Sequence, residues 1–189
     1  NILDSIKWMI LDEKTQESAR MLNELSRFLR LSFGKGTGIV TMAQELECLN
    51  AYVKLMQDRY DGAFNYSIDV EEDTLDNRIP KFTLQPLVEN ALLHGLLHCE
   101  KKDKCIMVRS WKDEKAWYIE IEDNGIGMPQ EEADLILESE NDVQVDNYGI
   151  YNIQGRLRIF SEDRCHMKVI SRPGIGTCVC IEITNRKEK

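Results

Sequence analysis

Thr83-Leu84-Gln85-Pro86-Leu87-Val88-Glu89-Asn90-Ala91-Leu92-Leu93-His94-Gly95 is the stretch on which the reading of this chain turns. Leu84, Leu87, Val88, Ala91 and Leu92 recur at the i, i+3, i+4, i+7 spacing of a helix with one buried side. Glu89, Asn90 and His94 occupy its second half, and Asn90 and His94 stand four apart, on one face. Asn and His are indifferent helix formers, so local propensity does not ask for them there. Thr83 reads as the N-cap, Pro86 is tolerable only in the first turn, and Gly95 reads as the end of the run. Taken alone, this is a buried helix with a polar edge. The residues downstream decide what the edge is for.

After a lysine-rich loop, residues 105–111 and 116–122 alternate as two strands, and Lys112-Asp113-Glu114-Lys115 joins them as a hairpin. Asp123-Asn124-Gly125-Ile126-Gly127-Met128-Pro129 comes directly after the second strand. A short helix over 131–137 is next, then an acidic, polar segment over 138–147 with the composition of a mobile loop. Tyr148-Gly149-Ile150-Tyr151-Asn152 opens a further helix through Leu157, Ile159 and Phe160. The chain then makes a last hairpin, strands 167–171 and 177–183, around Pro173-Gly174-Ile175-Gly176. Each glycine turn alone is a weak signal, because glycines at element boundaries more often serve the backbone than a ligand. Their order after the polar helix is specific.

Upstream, Ile2, Ile6, Met9 and Ile10 repeat at helical spacing from the first residue. A second helix is expected over 16–33, with Met21, Leu22, Leu25, Phe28, Leu29 and Ser32 on one face. Gly34-Lys35-Gly36-Thr37-Gly38 comes after a helix, not a strand, and lacks the lysine-serine ending of a phosphate loop, so it reads as a plain interhelical turn. Thr41 with Gln44 has the form of a capping box opening a third helix through Leu46, Leu49, Tyr52, Val53 and Met56 to about Tyr60. Three helices with this much apolar face are not expected to hide only on each other, which points to an oligomeric contact or, more simply, to packing onto the neighbouring domain. At Asp61-Gly62 the period changes from about 3.6 to 2, and Phe64, Tyr66, Ile68 and Val70 alternate as a strand.

At 189 residues, 42% hydrophobic and 30% charged, the chain is that of an ordinary globular protein with one good core and a smaller appendage. A formal net charge of −9 argues against a nucleic-acid surface. The six cysteines form no CxxC pair and have no histidine partner at zinc spacing, which fits a reduced, cytosolic setting. Cys178 and Cys180 flank Val179 in an expected strand and read as small hydrophobes on one face. No run reaches the roughly eighteen apolar residues of a membrane span. The chain opens at Asn1 in mid-pattern and reads as a fragment of a longer protein.

The order of polar helix, DNGIG, acidic insert, NYGIYN and PGIGT resembles the nucleotide-binding domain of the gyrase, heat-shock chaperone, histidine kinase and MutL superfamily of ATPases. LQPLVENALLHG at 84–95 is similar to the N-box of sensor histidine kinases of the LytS/YesM type. NILDSIKWM at 1–9 resembles the segment just C-terminal to that group's phosphoacceptor motif, Asn-Pro-His-Phe-Leu-Tyr. The resemblance covers essentially the whole chain. It implies a two-layer α/β sandwich, a mixed sheet with helices on one face, over residues 61–189. Residues 1–60 would be the trailing part of a helical dimerisation and phosphotransfer region.

The resemblance also implies the roles. Asn90 would ligate magnesium, to which a neutral amide oxygen is suited among waters and phosphates. His94 would reach the phosphates or a metal-bound water, and Glu89, about 100° away on the helix, would orient a water or assist proton removal. Asp123 would accept from the adenine exocyclic amine. Gly125 and Gly127 would let the backbone approach the ring, with Met128 beside them. Gly149, Ile150 and Asn152 belong to the second turn, at a helix N-terminus that favours phosphate. Gly174, Gly176 and Thr177 resemble the last glycine box, and 138–147 would be part of an ATP lid. ATP or ADP with magnesium, a response regulator and a second copy of the parent chain are the implied partners. The parent would be a membrane-anchored sensor with this portion in the cytoplasm.

Two departures stand out. Leu93 replaces a lysine common in the family, and Asn147-Tyr148-Gly149-Ile150 replaces a common Gly-Ile-Gly-Leu. None of His94, His98 and His166 matches the phosphoacceptor, which is expected before Asn1, so this chain alone is not expected to autophosphorylate. Two other readings remain open. A gyrase- or MutL-like hydrolase would need a general-base Glu one turn before Asn90, where Pro86 stands. A degenerate module that only dimerises and signals would fit the loss of a lysine at Leu93 and of a glycine at Asn147.

Overall fold

The computed structural model describes residues 2–33, 38–138 and 148–185. Two helices, α1 (Ile2–Leu11) and α2 (Thr15–Phe33), lead into a short strand β1 (Ile39–Thr41) and the long helix α3 (Met42–Arg59). Thr41 caps α3 in the expected box: Gln44 N–H donates to the Thr41 hydroxyl at 3.2 Å, and Thr41 N–H donates to the Gln44 side chain at 3.0 Å. On α2, Ser18, Met21 and Ser32 are buried, the Ser32 hydroxyl lies 3.6 Å from Cys48 Sγ of α3, and Phe28 packs on Tyr52 of α3 with ring centroids 5.8 Å apart. Leu22 and Leu29, expected on the same face, stay exposed with Phe33, as do Trp8, Ile10 and Leu11 of α1. The 16–33 helix therefore has two apolar sides, of which α3 covers one. Residues 34–37, the centre of the expected interhelical turn, lie outside the described residues.

The remaining strands are β2 (Asn65–Val70), β3 (Arg78–Pro80), β4 (Cys105–Lys112), β5 (Ala116–Asp123), β6 (Cys165–Arg172) and β7 (Gly176–Thr184). They form a five-stranded sheet in the order β2-β4-β5-β7-β6, parallel only between β2 and β4. β1 and β3 pair antiparallel as a separate two-stranded ribbon, which the sequence pattern does not announce. The period-2 pattern buries Ile106 and Val108, Trp117, Ile119 and Ile121, Val179 and Ile181, and Met167 and Val169 on one face of the sheet. The polar helix, α5 (Gln130–Glu138) and α6 (Tyr148–Ser161) cover that face. The opposite face carries Arg109, Glu120 and Glu122. This is the expected two-layer sandwich with a mixed sheet.

The start of the polar helix departs from expectation. Thr83 is not a side-chain cap: its backbone is already helical, and its hydroxyl donates to the Pro80 carbonyl at 2.6 Å. The cap comes from Glu45 of α3. Its carboxylate, 3% exposed, accepts from the N–H groups of Thr83 (2.6 Å), Leu84 (3.0 Å) and Phe82 (3.2 Å). A carboxylate there satisfies orphan donors and meets the positive end of the helix dipole. Burial still holds Glu45 above its ordinary carboxylate range, opposed by these three N–H groups and Arg156. Arg156 of α6 donates to the carbonyls of Lys81 (2.9 Å) and Phe82 (2.8 Å), so α3 and α6 grip the same turn. Glu45→Ala would strand three donors; it is expected to cost about 3 kcal/mol in urea unfolding, and Glu45→Gln about half of that.

Candidate functional site

The polar helix is α-helical only from Leu84 to Asn90 and widens into a π-helical segment, Ala91–Leu96. Leu97 N–H closes an i→i+5 bond on Leu92 at 3.0 Å. Gly95 therefore does not end the run as expected; it lies inside the widened turn, against Asp123. Asn90 is the last α-helical residue, and His94 comes after it, exposed, one widened turn later. The Asn90 Nδ2 atom is buried without a hydrogen-bond partner among the described residues. An amide is nearly isosteric end for end, so a half-turn presents Oδ1 at the same point. Glu89 is half-buried. Burial raises its carboxyl above the ordinary range, and the nearby His94 partly offsets this.

Asp123 is the point where two of the three glycine turns, DNGIG and PGIGT, meet. It ends β5, is 6% exposed, and accepts from Gly125 N–H at 2.8 Å and from the backbone of Thr177. Three glycines let the chain close around it. A Cβ on Gly125 would stand 2.7 Å from Asp123 Oδ1 and overlap the Gly95 backbone; one on Gly176, where φ is +142°, would fall on the Asp123 carbonyl. Gly95 is equally tight, its absent Cβ lying 2.8 Å from Asp123 Oδ1. So the room freed at Gly125 is first taken by the protein's own backbone, not only by an approaching ring. Ile126 N–H reaches the Gly95 carbonyl at 3.2 Å, and Gly174 N–H reaches the Ile126 carbonyl at 2.6 Å. Polar helix, DNGIG and PGIGT thus form one cluster.

Side chains that the sequence pattern does not single out lock this cluster. Ser171 accepts from Met128 N–H at 2.9 Å and donates to the Gly176 carbonyl at 3.1 Å, with the Thr177 hydroxyl 2.8 Å away. Gln130 holds Ser171 N–H at 2.9 Å and the Val169 carbonyl at 2.8 Å. The Lys101 ammonium bridges the carbonyls of Asn124 (2.7 Å) and Ile175 (3.0 Å). Serine, glutamine and lysine at loop and strand ends are too common to signal such contacts in advance. Gly127 takes φ +60° against the Arg172 backbone. Gly149 and Asn152 lie in the first turns of α6, Asn152 exposed, whereas Ile150 is 5% exposed and part of the core. Leu93, in place of a lysine, packs partly buried against the core. Residues 139–147, the bulk of the expected lid and including Asn147, lie outside the described residues.

Burial pushes the Asp123 carboxyl up from 3.8 to about 6, against the N–H groups of Gly125 and Thr177 and the Lys101 charge. The folded-state value lies above the ordinary one, so the fold favours the protonated form. That contribution is full below about pH 4 and is lost as the pH rises through about 6.

A histidine kinase family model matches residues 1–64, and the model of the histidine kinase-, DNA gyrase B-, and HSP90-like ATPases matches residues 76–187. The chain belongs to that ATPase family. It is 28% identical over 188 residues to the sensor histidine kinase YesM of Bacillus subtilis, covering 100% of this chain and 31% of that protein. It is 31% identical over 137 residues to the sensor protein LytS of Staphylococcus saprophyticus, covering 72% of this chain and 23% of that protein. The chain therefore spans about a third or less of these relatives' length. The catalytic domain of the histidine kinase ThkA has the same fold, with a TM-score of 0.57 at 11% identity, over 78% of this chain and 98% of that one. The histidine kinase domain of a blue-light activated kinase of Erythrobacter litoralis gives 0.52 at 17% identity, over 92% and 82%. This is an ATPase-type catalytic domain of the sensor histidine kinases, of the LytS/YesM kind.

In this ATPase-family domain the contact between Gly125 and Gly95 is a sensitive point. Gly125→Ala should cost about 3 kcal/mol in chemical denaturation. Gly155→Ala in α6, where a Cβ meets nothing within 4 Å, should instead stabilise by about 0.5–1 kcal/mol.

Proposed function

We propose that this chain is the ATP-binding portion of a two-component sensor kinase that moves the γ-phosphoryl group of ATP to a histidine, and then to an aspartate of a response regulator. The observation that carries it is the single cluster in which Asp123, the DNGIG and PGIGT turns and the helix bearing Asn90 are packed together. In this reading Asp123 accepts from the adenine amine, and the backbones of Gly125, Gly127 and Met128 flank the ring. Gly149 and Asn152, with Ile150 fixing their helix to the core, lie toward the phosphates. Gly174, Gly176 and Thr177 hold Asp123 from the far side.

The unpartnered Nδ2 end of the half-buried Asn90 amide, which a half-turn replaces with Oδ1, fits a magnesium ligand, and Asn90 is the residue that would hold that ion. When bound, magnesium neutralises phosphate charge. His94 would contact the phosphates, and Glu89, its carboxyl raised by burial, would accept a proton from the attacking imidazole. The protein's contribution is positioning and charge, as in other phosphoryl transfers. We assign 61–189 to this ATP-binding domain and 1–60 to the helical region, whose exposed Trp8, Ile10, Leu11, Leu22, Leu29 and Phe33 suit a dimer contact. The cytoplasmic side of a membrane-anchored sensor is the proposed setting; no described helix is long and apolar enough to cross a membrane. A hydrolase is disfavoured by Pro86, which cannot activate water.

Titration calorimetry with magnesium-ATP tests the assignment. The 1–189 chain should bind, Asn90→Ala and Asp123→Asn should each bind about tenfold or more weakly, a loss of about 1.4 kcal/mol, and no phosphohistidine should form at His94, His98 or His166. Unchanged affinity in both variants would remove the proposed site. No binding by the unsubstituted 1–189 chain would favour the degenerate reading that Leu93 and Asn147 suggest.

A further inference from the structure

Cys178 and Cys180 read in the sequence as small hydrophobes, but the fold turns them away from the core. Val179 and Ile181 take the buried face of β7, leaving both thiols half-exposed on the face opposite the helices. There, Cys180 stands across from Glu120 of β5 and Cys178 across from Glu122, an unusual environment for side chains serving only as apolar filler. The sulfurs are 3.5 Å apart, Cys180 Sγ is 3.5 Å from Glu120 Oε1, and all three atoms lie within 4.8 Å of one another.

We propose that Cys178, Cys180 and Glu120 form a binding site for a thiophilic divalent cation such as zinc, on the sheet face away from the nucleotide site. Tetrahedral zinc with bonds of about 2.3 Å to sulfur and about 2.0 Å to oxygen needs S···S near about 3.8 Å and S···O near about 3.5 Å. The sulfur pair and the Cys180–Glu120 pair stand within a few tenths of an ångström of those values, and the Cys178–Glu120 separation, within 4.8 Å, closes by a side-chain adjustment of up to about 1.3 Å. Arg109 organises the carboxylate: its Nε donates to Glu120 Oε2 at 3.1 Å and its Nη2 to Glu122 at 2.6 Å, so Oε1 is left toward the sulfurs. Such an outer partner fixes a ligand's orientation. Arg109, together with Lys168 across from Cys180, also offsets the negative charge of two thiolates and a carboxylate.

A disulfide is the poorer use of the pair. Residues two apart on an extended strand have Cα atoms about 6.7 Å apart, at the far limit of disulfide geometry. On binding, each thiol releases its proton to solvent as the metal–sulfur bond forms, and the fourth position stays open to water. The ion would tie β5 to β7 one strand position from Thr177 and three from Asp123. The site does not depend on the ATP assignment.

Cobalt(II) titration of the reduced 1–189 chain tests it. One equivalent should produce a thiolate-to-metal charge-transfer band with the intense visible bands of tetrahedral cobalt, and zinc should displace both. The Cys178→Ser/Cys180→Ser double variant, checked for native circular dichroism, should lose them, and Cys105→Ser should keep them. Glu120→Gln should keep the thiolate band and bind about tenfold or more weakly. Absence of the bands in the parent chain, or their survival in the double variant, overturns the site. Unchanged affinity in Glu120→Gln overturns the three-ligand assignment.

Discussion

The close packing around the Asp123 carboxylate is the constraint on which the rest of the site depends. Three chain segments converge there: the end of β5, the start of β7, and the widened turn of the polar helix. They can do so only because Gly95, Gly125 and Gly176 have no side chain. The same packing excludes water, which is why the carboxyl ionises late. It also sets Asn90, one turn before Gly95, at a fixed offset from Asp123. The two positions proposed to contact the nucleotide are thus held by one buried junction, and the glycines serve backbone closure first.

A second junction links this cluster to the helical region. Glu45 of α3 caps the helix that carries Glu89, Asn90 and His94, and Arg156 of α6 binds the carbonyls of the same turn. A buried carboxylate spanning two segments is costly unless fully hydrogen-bonded, and three backbone donors satisfy it. Movement of α3 would therefore be felt at the start of the polar helix. Antiparallel pairing of β1 with β3 ties the same two regions together a second time.

Much of this was legible in the residues. The alternation in 105–111 and 116–122, the Thr41–Gln44 box and the apolar stripe of Leu84, Leu87, Val88, Ala91 and Leu92 are local patterns, and each formed the element it implied. What escaped was non-local. Glu45 is 38 positions from Thr83, so nothing near Thr83 announces that its expected capping role is taken. β1 and β3 are three residues each, too short to show alternation. The π-helical widening leaves the side-chain order unchanged, and Gly95 looked like a helix end because the need for a bare Cα comes from Asp123. For the candidate site, the order of motifs along the chain singles out Asn90, Asp123, Gly125 and Gly176 as candidates, and the fold packs the segments that carry them together. Ser171, Gln130 and Lys101 are not singled out, since their partners are mostly backbone atoms from other loops.

The most direct measurement of the central claim is the ionisation of the Asp123 carboxyl, tracked by carbon NMR against pH with and without a non-hydrolysable ATP analogue. The expected result is a midpoint near about 6 in the free chain. It should move to lower pH when the nucleotide is bound, because an amine donating to the carboxylate favours the charged form. A midpoint at the ordinary 3.8, or one that the nucleotide leaves unmoved, would contradict the view that this buried junction reads the base.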